Sequence, residues 1–497
     1  AWLFEALTET DIPLLLAFRR LARDEVPLRL TLSISPPLLS MLADRLLQQR
    51  YLEHLGRLDD LLQLERRRTA GDGHLTYLVH HYLERLEETE ACWASLDGDI
   101  ISAFAQLEEQ GYLDILTSGA THGYLPLLQV TPEAVRAQIA VAVEHHKAHL
   151  GRAPRGIWLP ECGYFPGLDQ ELARHGLRYF VADAHGLLLA RPRPRLGTSR
   201  PIFCAGSGVA VFGRDPETSA QVWSRERGYP GDPVYREFYR DVGFDLEASQ
   251  VADWVQPDGR RTYTGIKYHR ITGPTDRKEL YDPYWARERA EQHAHDFINH
   301  RRAQLRGLAA QGPPPVVVAP YDAELFGHWW YEGPWWLEKT LRLAASDEEG
   351  LRLTTMGEYL GAHPTQQVSL PAQSSWGDGG YHAYWLNGKT EWLYPHLHRA
   401  AEQMVELARA HPAARGLMRR GLNQAARELL LAQASDWAFI LRTGTATGYA
   451  AKRTRSHLCR FHTLRQEILA GHLRREWLDQ LEYVDSIFPD IDYRVYA

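Results

Sequence analysis

"GIWLPECGY", residues 156–164, sets a short apolar run, Gly156–Leu159, directly against a proline and a carboxylate. Proline cannot donate to a ladder, so Pro160–Glu161 marks a strand end with an acidic side chain just beyond it. The same pattern recurs in "VVVAPYDAELFGHWWYEGPWW", residues 316–336, where Val316–Ala319 runs into Pro320 and then Asp322. Five further β-type runs, Leu28–Ser35, Tyr112–Thr117, Arg178–Ala182, Val209–Phe212 and Leu351–Thr354, are separated by amphipathic helical stretches. Buried-looking runs alternating with helices indicate parallel strands joined by crossover helices. Seven candidates between about residues 28 and 360 favour a closed or nearly closed β/α barrel over an open doubly wound sheet.

Three regions depart from that alternation. Residues from about 50 to 95 are charged, helical and strand-free, and read as a helical insertion. Residues 213–275 are punctuated by Gly and Pro and read as long loops, which in compact domains are commonly functional. Beyond residue 390 the pattern is wholly helical. The expected organisation is therefore a catalytic domain over 1–370 and a helical C-terminal domain over 371–497.

Bulk composition narrows the function classes. With 56 basic against 63 acidic residues and a net charge of −7, the chain offers no broad cationic face for nucleic acid. No apolar stretch approaches the roughly 20 residues that span a bilayer. Cys92, Cys162, Cys204 and Cys459 lie far apart, which suits reduced thiols and a cytoplasmic location. The chain starts at Ala1 directly in a helical pattern and is read as lacking a short N-terminal piece. Its 15 Trp and 24 Tyr exceed ordinary core filling, and flat rings stack well on sugars, bases or proline.

In a parallel barrel, chemistry gathers just past the strand ends. Reading there yields Glu161, Asp322, His122 and Asp183. Glu161 and Asp322 are the strongest pair, because each follows a proline-ended run and each is set among aromatics. Two carboxylates beside stacking rings suit glycoside chemistry, though strand-end caps or solvated loop acids would leave the same trace. His145 and His149 in "EHHKAH" have i,i+4 spacing but no third ligand, and read as a solvated helix face. Trp376 and Trp385 lie on the Gly-rich "SSWGDGGYHAYWLN" and are expected as exposed stacking platforms.

At these residues the sequence resembles glycoside hydrolase family 57 and, within it, the branching-enzyme group. The carrying motifs are "TSGATHGYLPLL" (117–128), "GIWLPECGY" (156–164), "APYDAELFGHWWYEG" (319–333) and "SWGDGGYHAYWLN" (375–387). The resemblance implies an incomplete (β/α)7 TIM-like barrel with a helical insertion and an all-α C-terminal domain. It makes Glu161 the nucleophile and Asp322 the general acid/base of a retaining double displacement, with carboxyls about 5–5.5 Å apart. It further implies glucan contacts at His122, Trp376 and Trp385, and at Tyr229 on the tip of a mobile loop. Asp183, His328, Trp329 and Trp330 join them as candidate substrate-binding residues on the same cleft. The implied substrate is α-1,4-glucan as donor and acceptor, with no metal and no cofactor, and a monomer is expected. The family's N-terminal histidine motif is absent from this numbering, and His269 stands where relatives often carry tryptophan. A mainly hydrolytic α-amylase, a 4-α-glucanotransferase of the same family and a non-catalytic glucan-binding protein are the competing readings.

Overall fold

Strand formation follows the apolar runs only where a neighbour is available to complete a ladder. The computed structural model describes residues 2–224, 227–309, 314–348 and 350–497. Among these, seven strands form: β1 Leu30–Ser33, β2 Leu113–Leu116, β3 Gly156–Ile157, β4 Tyr179–Ala182, β5 Ile202–Cys204, β6 Ala210–Gly213 and β7 Gln367–Ser369. β1 pairs with β2, and the bonds Leu30 N→Tyr112 O and Ile34 N→Leu116 O advance in the same direction along both. A parallel bridge joins Thr117 to Ile157, and β3, β4 and β6 continue as parallel neighbours. Every residue of β4 and β6 is buried, as the apolar runs require.

Two predicted strands do not form, and two unpredicted ones do. At Val316–Ala319, Asp215 N donates to Val318 O at 2.8 Å and Val318 forms a bridge, but no strand grows from it. At Leu351–Thr354 the Leu351 N–H is taken by the Asp347 carboxylate at 2.8 Å instead of a strand. β5 reverses into β6 through a turn with Gly206 and Gly208 at positive φ, making an antiparallel hairpin, and β7 adds in parallel to β5. The hairpin fills the second edge of β6, so the described ladders form a two-stranded and a five-stranded sheet rather than tracing a closed barrel.

The chain divides into two compact units, Ala1–Leu30 with Leu42–Leu113 and Asp215–Thr355, and Thr31–Met41 with Asp114–Arg214 and Met356–Ala497. The first is dominated by helices. Arg45–Arg68 begins where the Asp44 carboxylate caps Leu47 N, and Gly73–Ser95 where Asp72 caps His74 N and Leu75 N. The long loops after residue 215 are pinned by Asp241, whose buried carboxylate accepts from Gly243 N, Thr264 N, Thr264 Oγ1 and Gly265 N. Within those loops, Arg225 and Glu226 lie outside the described residues. Helix Pro283–Ala309 packs along helix Gly333–Ala345.

The second unit holds all seven strands except the first residues of β1 and β2, and five C-terminal helices, Leu393–Ala410, Gly416–Ala432, Ser435–Thr443, Thr447–Leu469 and Arg475–Val484. Their shared core contains Met404, Leu422, Leu429, Phe461 and Leu464, and also takes in Ala120, Tyr124 and Trp385. Among the described residues no helix is long and apolar enough to cross a membrane.

Candidate active site

Glu161 sits one residue past the proline that ends the β3 run, in a short 3-10 turn, Pro160–Cys162. Three non-glycine residues here adopt left-handed backbone: His122 (φ 56°), Glu161 (φ 58°) and Cys162 (φ 53°). Such conformations cost about 1–3 kcal/mol each and persist where surrounding contacts enforce them. Those contacts are visible. A Cβ on Gly119 would stand 2.9 Å from Pro160, and one on Gly123 would stand 2.8 Å from Gln138. Gln138 in turn accepts from Thr121 N at 3.0 Å and donates to Thr121 Oγ1 at 2.9 Å.

Each carboxylate oxygen of Glu161 has its own donor. Ser435 Oγ donates to Oε1 at 2.9 Å, and Trp376 Nε1 donates to Oε2 at 3.0 Å. The Trp376 backbone N–H also donates to the Glu161 carbonyl at 3.2 Å, so the tryptophan is tied to the glutamate through both its indole and its backbone. His122 Nδ1 stands 3.1 Å from Ser435 Oγ and 3.8 Å from Glu161 Oε1. Because the single serine proton is given to Glu161, the ring nitrogen is the donor to Ser435.

Asp183 follows β4, with its carboxylate shared between Arg214 Nη1 at 3.1 Å and His185 Nδ1 at 3.1 Å. Arg214 lies over the Trp376 ring, 5.6 Å from its centroid, while Trp158 meets the same indole at 4.9 Å and 60°. His185 Nε2 reaches the Gly380 carbonyl at 2.8 Å. Asp183 therefore braces Trp376 through Arg214 and steadies the Gly-rich loop through His185.

Trp385 departs from its expected place. It is 1% exposed, stacked on Tyr124 at 4.2 Å and 26°, and its carbonyl accepts from Thr390 Oγ1 and Tyr394 OH. A Cβ on Gly377 would meet its indole at 2.7 Å, so a glycine of this loop permits close approach to a buried ring rather than marking a surface.

Asp322 lies in the other unit, where its backbone caps the 3-10 turn Ala323–Leu325 in extended conformation. Neighbouring Tyr321 donates its OH to Thr218 O at 3.0 Å and meets Phe326 edge-on. The turn packs against a π-helix, Leu7–Asp11, a rare form that recurs at functional sites. Gly327 (φ 119°) faces that helix so closely that a Cβ would fall 1.6 Å from Glu9 O, so only glycine fits. Burial, with the Glu324 charge beside it, pushes the Asp11 carboxyl up to about 7. Glu9 goes the opposite way, to about 2: burial, the largest single influence, would raise it, but Arg236, whose Nη2 donates at 2.7 Å, together with His328 and Lys267 outweighs burial.

His328 is buried, with Nδ1 3.5 Å from Glu9 Oε2 and its ring beside Trp2, Phe238 and Trp329. Trp329 is 38% exposed and Trp2 59%, which makes these two the open indoles of this stretch. Trp330 is 1% exposed and packs on Tyr235 and Trp336, so it is core rather than wall. Tyr229 does not stand at an exposed tip. Its ring stacks on His293 at 4.4 Å, its OH donates to Asp296 at 2.7 Å, and the residue is buried.

Reading past apolar runs singles out Glu161, His122, Asp183 and Asp322, of which Asp322 follows no strand, and it does not single out Ser435, Arg214 or Trp2. Ser435 starts a helix and Trp2 lies within one, so no strand precedes either. His145 corrects the expected solvated face: it is buried, with Nε2 2.8 Å from Ser40 Oγ, whereas His149 is partly exposed. Glu428, His457 and Asp485 form the one cluster of metal-ligand type among the described residues, and Arg460 supplies positive charge to both carboxylates.

Residues 1–371 match glycosyl hydrolase family 57, and residues 396–496 match the 1,4-alpha-glucan branching enzyme C-terminal domain. The chain is 35% identical to the 1,4-alpha-glucan branching enzyme TK1436 of Thermococcus kodakarensis, over 98% of this chain and 74% of that protein. The crystal structure of TK1436 superposes with a TM-score of 0.89, covering 100% of this chain and 92% of that one. The alpha-amylase AmyC of Thermotoga maritima superposes with a TM-score of 0.93 at 44% identity, covering 100% and 94%. The branching enzyme of Pyrococcus horikoshii gives 0.88 at 34% identity, covering 100% and 92%. The chain belongs to glycosyl hydrolase family 57.

Proposed function

We propose that the protein is a 1,4-α-glucan branching enzyme that works by a retaining double displacement. The single observation that carries the chemistry is Glu161, a carboxylate on a strained turn with a separate donor on each oxygen. The match of residues 396–496 to the branching-enzyme C-terminal domain supports transfer to a sugar over transfer to water. With it we read 1–370 as the catalytic domain, 371–497 as the helical C-terminal domain, and the parallel neighbours β1–β2 and β3–β4–β6 as staves of an incomplete barrel.

In the first step a Glu161 oxygen attacks the anomeric carbon of a glucosyl unit. Asp322 gives its proton to the departing O4, and a glycosyl ester forms on Glu161. In the second step the Asp322 carboxylate takes the proton of an acceptor 6-hydroxyl, O6 bonds to the anomeric carbon, and Glu161 departs as the carboxylate. Two inversions give retention and an α-1,6 branch. His122, with Nδ1 committed to Ser435, has Nε2 left to meet a sugar hydroxyl. Trp376, Trp329 and Trp2 are the indoles we assign to stacking on glucan.

The similarity to AmyC favours a second reading, a hydrolytic α-amylase in which water replaces the acceptor. Incubation with amylose followed by an α-1,6-specific debranching enzyme separates the two. New short linear chains released on debranching are the expected outcome, and a product that the debranching enzyme leaves untouched rejects branching.

A further inference from the structure

Glu161 takes one of its two side-chain donors from the helical C-terminal region. Ser435, the first residue of helix Ser435–Thr443, is separated from Glu161 by 274 positions in sequence, yet donates to its Oε1 at 2.9 Å. The segment carrying it is stitched to the 120–123 turn at successive points. Thr121 Oγ1 donates to Leu430 O, Gln138 Nε2 to Gln433 Oε1 at 3.3 Å, and Ser435 N to His122 O at 3.1 Å. Gly123 and Ala434 form an antiparallel bridge, and Ser435 itself is 3% exposed. Such over-determination holds the hydroxyl to one rotamer, with His122 Nδ1–H on its lone pair and its own proton directed at Glu161.

We propose that Ser435 is a positioning residue for Glu161: oriented by His122, its hydroxyl aims the attacking carboxylate, so that the helical C-terminal region contributes directly to the first chemical step. This rests on reading Glu161 as the nucleophile. With Oε1 held by Ser435 and Oε2 by Trp376, the carboxylate plane is fixed before substrate arrives, which lowers the entropic part of the barrier to attack. A hydrogen bond to a charged group that strengthens positioning alone changes kcat and leaves ground-state binding alone.

The test compares Ser435→Ala, Ser435→Thr and Glu161→Gln on amylose and on α-maltosyl fluoride, whose leaving group needs no protonation. Ser435→Ala is expected to lower kcat by about 10- to 100-fold on both donors with KM little changed. Ser435→Thr, which keeps a hydroxyl, should recover most of the loss, and the melting temperatures of all three should stay near that of the parent. Parent-like kcat in Ser435→Ala overturns the proposal. So does a loss that Thr fails to rescue and that tracks a lowered melting temperature, because that is a folding defect. Turnover of the fluoride by Glu161→Gln would instead refute the nucleophile assignment itself, whatever the serine variants do.

Discussion

Glu161 and Asp322 both follow proline-ended apolar runs, yet their surroundings differ in kind. Glu161 is held by side-chain donors, one on each oxygen, drawn from a Gly-rich loop and from the start of a C-terminal helix. Asp322 begins a short turn against a π-helix, among aromatic rings and other acids, one of which, Asp11, titrates near 7. The contrast suits the two chemical tasks we propose for them. A nucleophile gains from being fixed and ionised, whereas an acid/base gains from surroundings in which a carboxyl can hold a proton near neutrality.

The largest expected effect comes from removing the fixed charge. Glu161→Gln should cut turnover of amylose on the order of 10⁴-fold or more. Amylose retardation in affinity gels should persist, since the stacking indoles remain. Asp322→Asn should cost about 10²- to 10⁴-fold on amylose, but should still react once with α-maltosyl fluoride. If both variants lose the fluoride reaction equally, the division of labour between the two carboxylates is wrong.

Two tryptophans on one loop sharpen the same contrast. Trp385→Ala empties a buried site and should lower unfolding stability by about 3–5 kcal/mol in urea titrations. Trp376→Phe keeps a ring but deletes the Nε1–H that Glu161 accepts. It should lower kcat about 10-fold with little change in the urea midpoint. An activity loss confined to Trp385→Ala with Trp376→Phe silent would reverse the roles assigned here.

The smallest effect is on pH and stability in the Asp322 unit. The Asp11 carboxyl titrates near 7 in the folded chain against 3.8 for the ordinary group. Between those values the native state keeps a proton the unfolded chain has released, so the stabilisation is complete below the lower value and lost as pH rises through the upper one. Asp11 is partly exposed, which reduces the expected loss to about 1–2 kcal/mol. Asp11→Asn should flatten the slope of unfolding free energy between pH 4 and 7, and an unchanged slope would exclude Asp11 as its source.

The two candidate carboxylates stood out in the sequence through one local pattern, apolar run, proline, acid, although only the run before Glu161 becomes a strand. Five strands were legible for the same reason. β5 and β7 were not, being three residues each, although the "AGSG" stretch between β5 and β6 was a hairpin signal of the ordinary kind. Val316–Ala319 had the composition of a strand but gets no further than a bridge at Val318, and composition does not reveal how far a pairing extends. Trp385 was misplaced because glycines were read as surface when Gly377 instead admits a ring. Ser435 left no local trace, since its role is created by packing a helix start against a turn more than 300 residues earlier.

The most direct measurement of the central claim is the site of the covalent glycosyl ester. Asp322→Asn lacks the base for the second step, so with α-maltosyl fluoride it should accumulate the ester. Acid quenching, proteolysis and peptide mass spectrometry should find the maltosyl mass on the peptide containing "GIWLPECGYF", fragmenting at Glu161. An adduct on any other residue, or steady turnover of the fluoride with no adduct at all, would contradict the account.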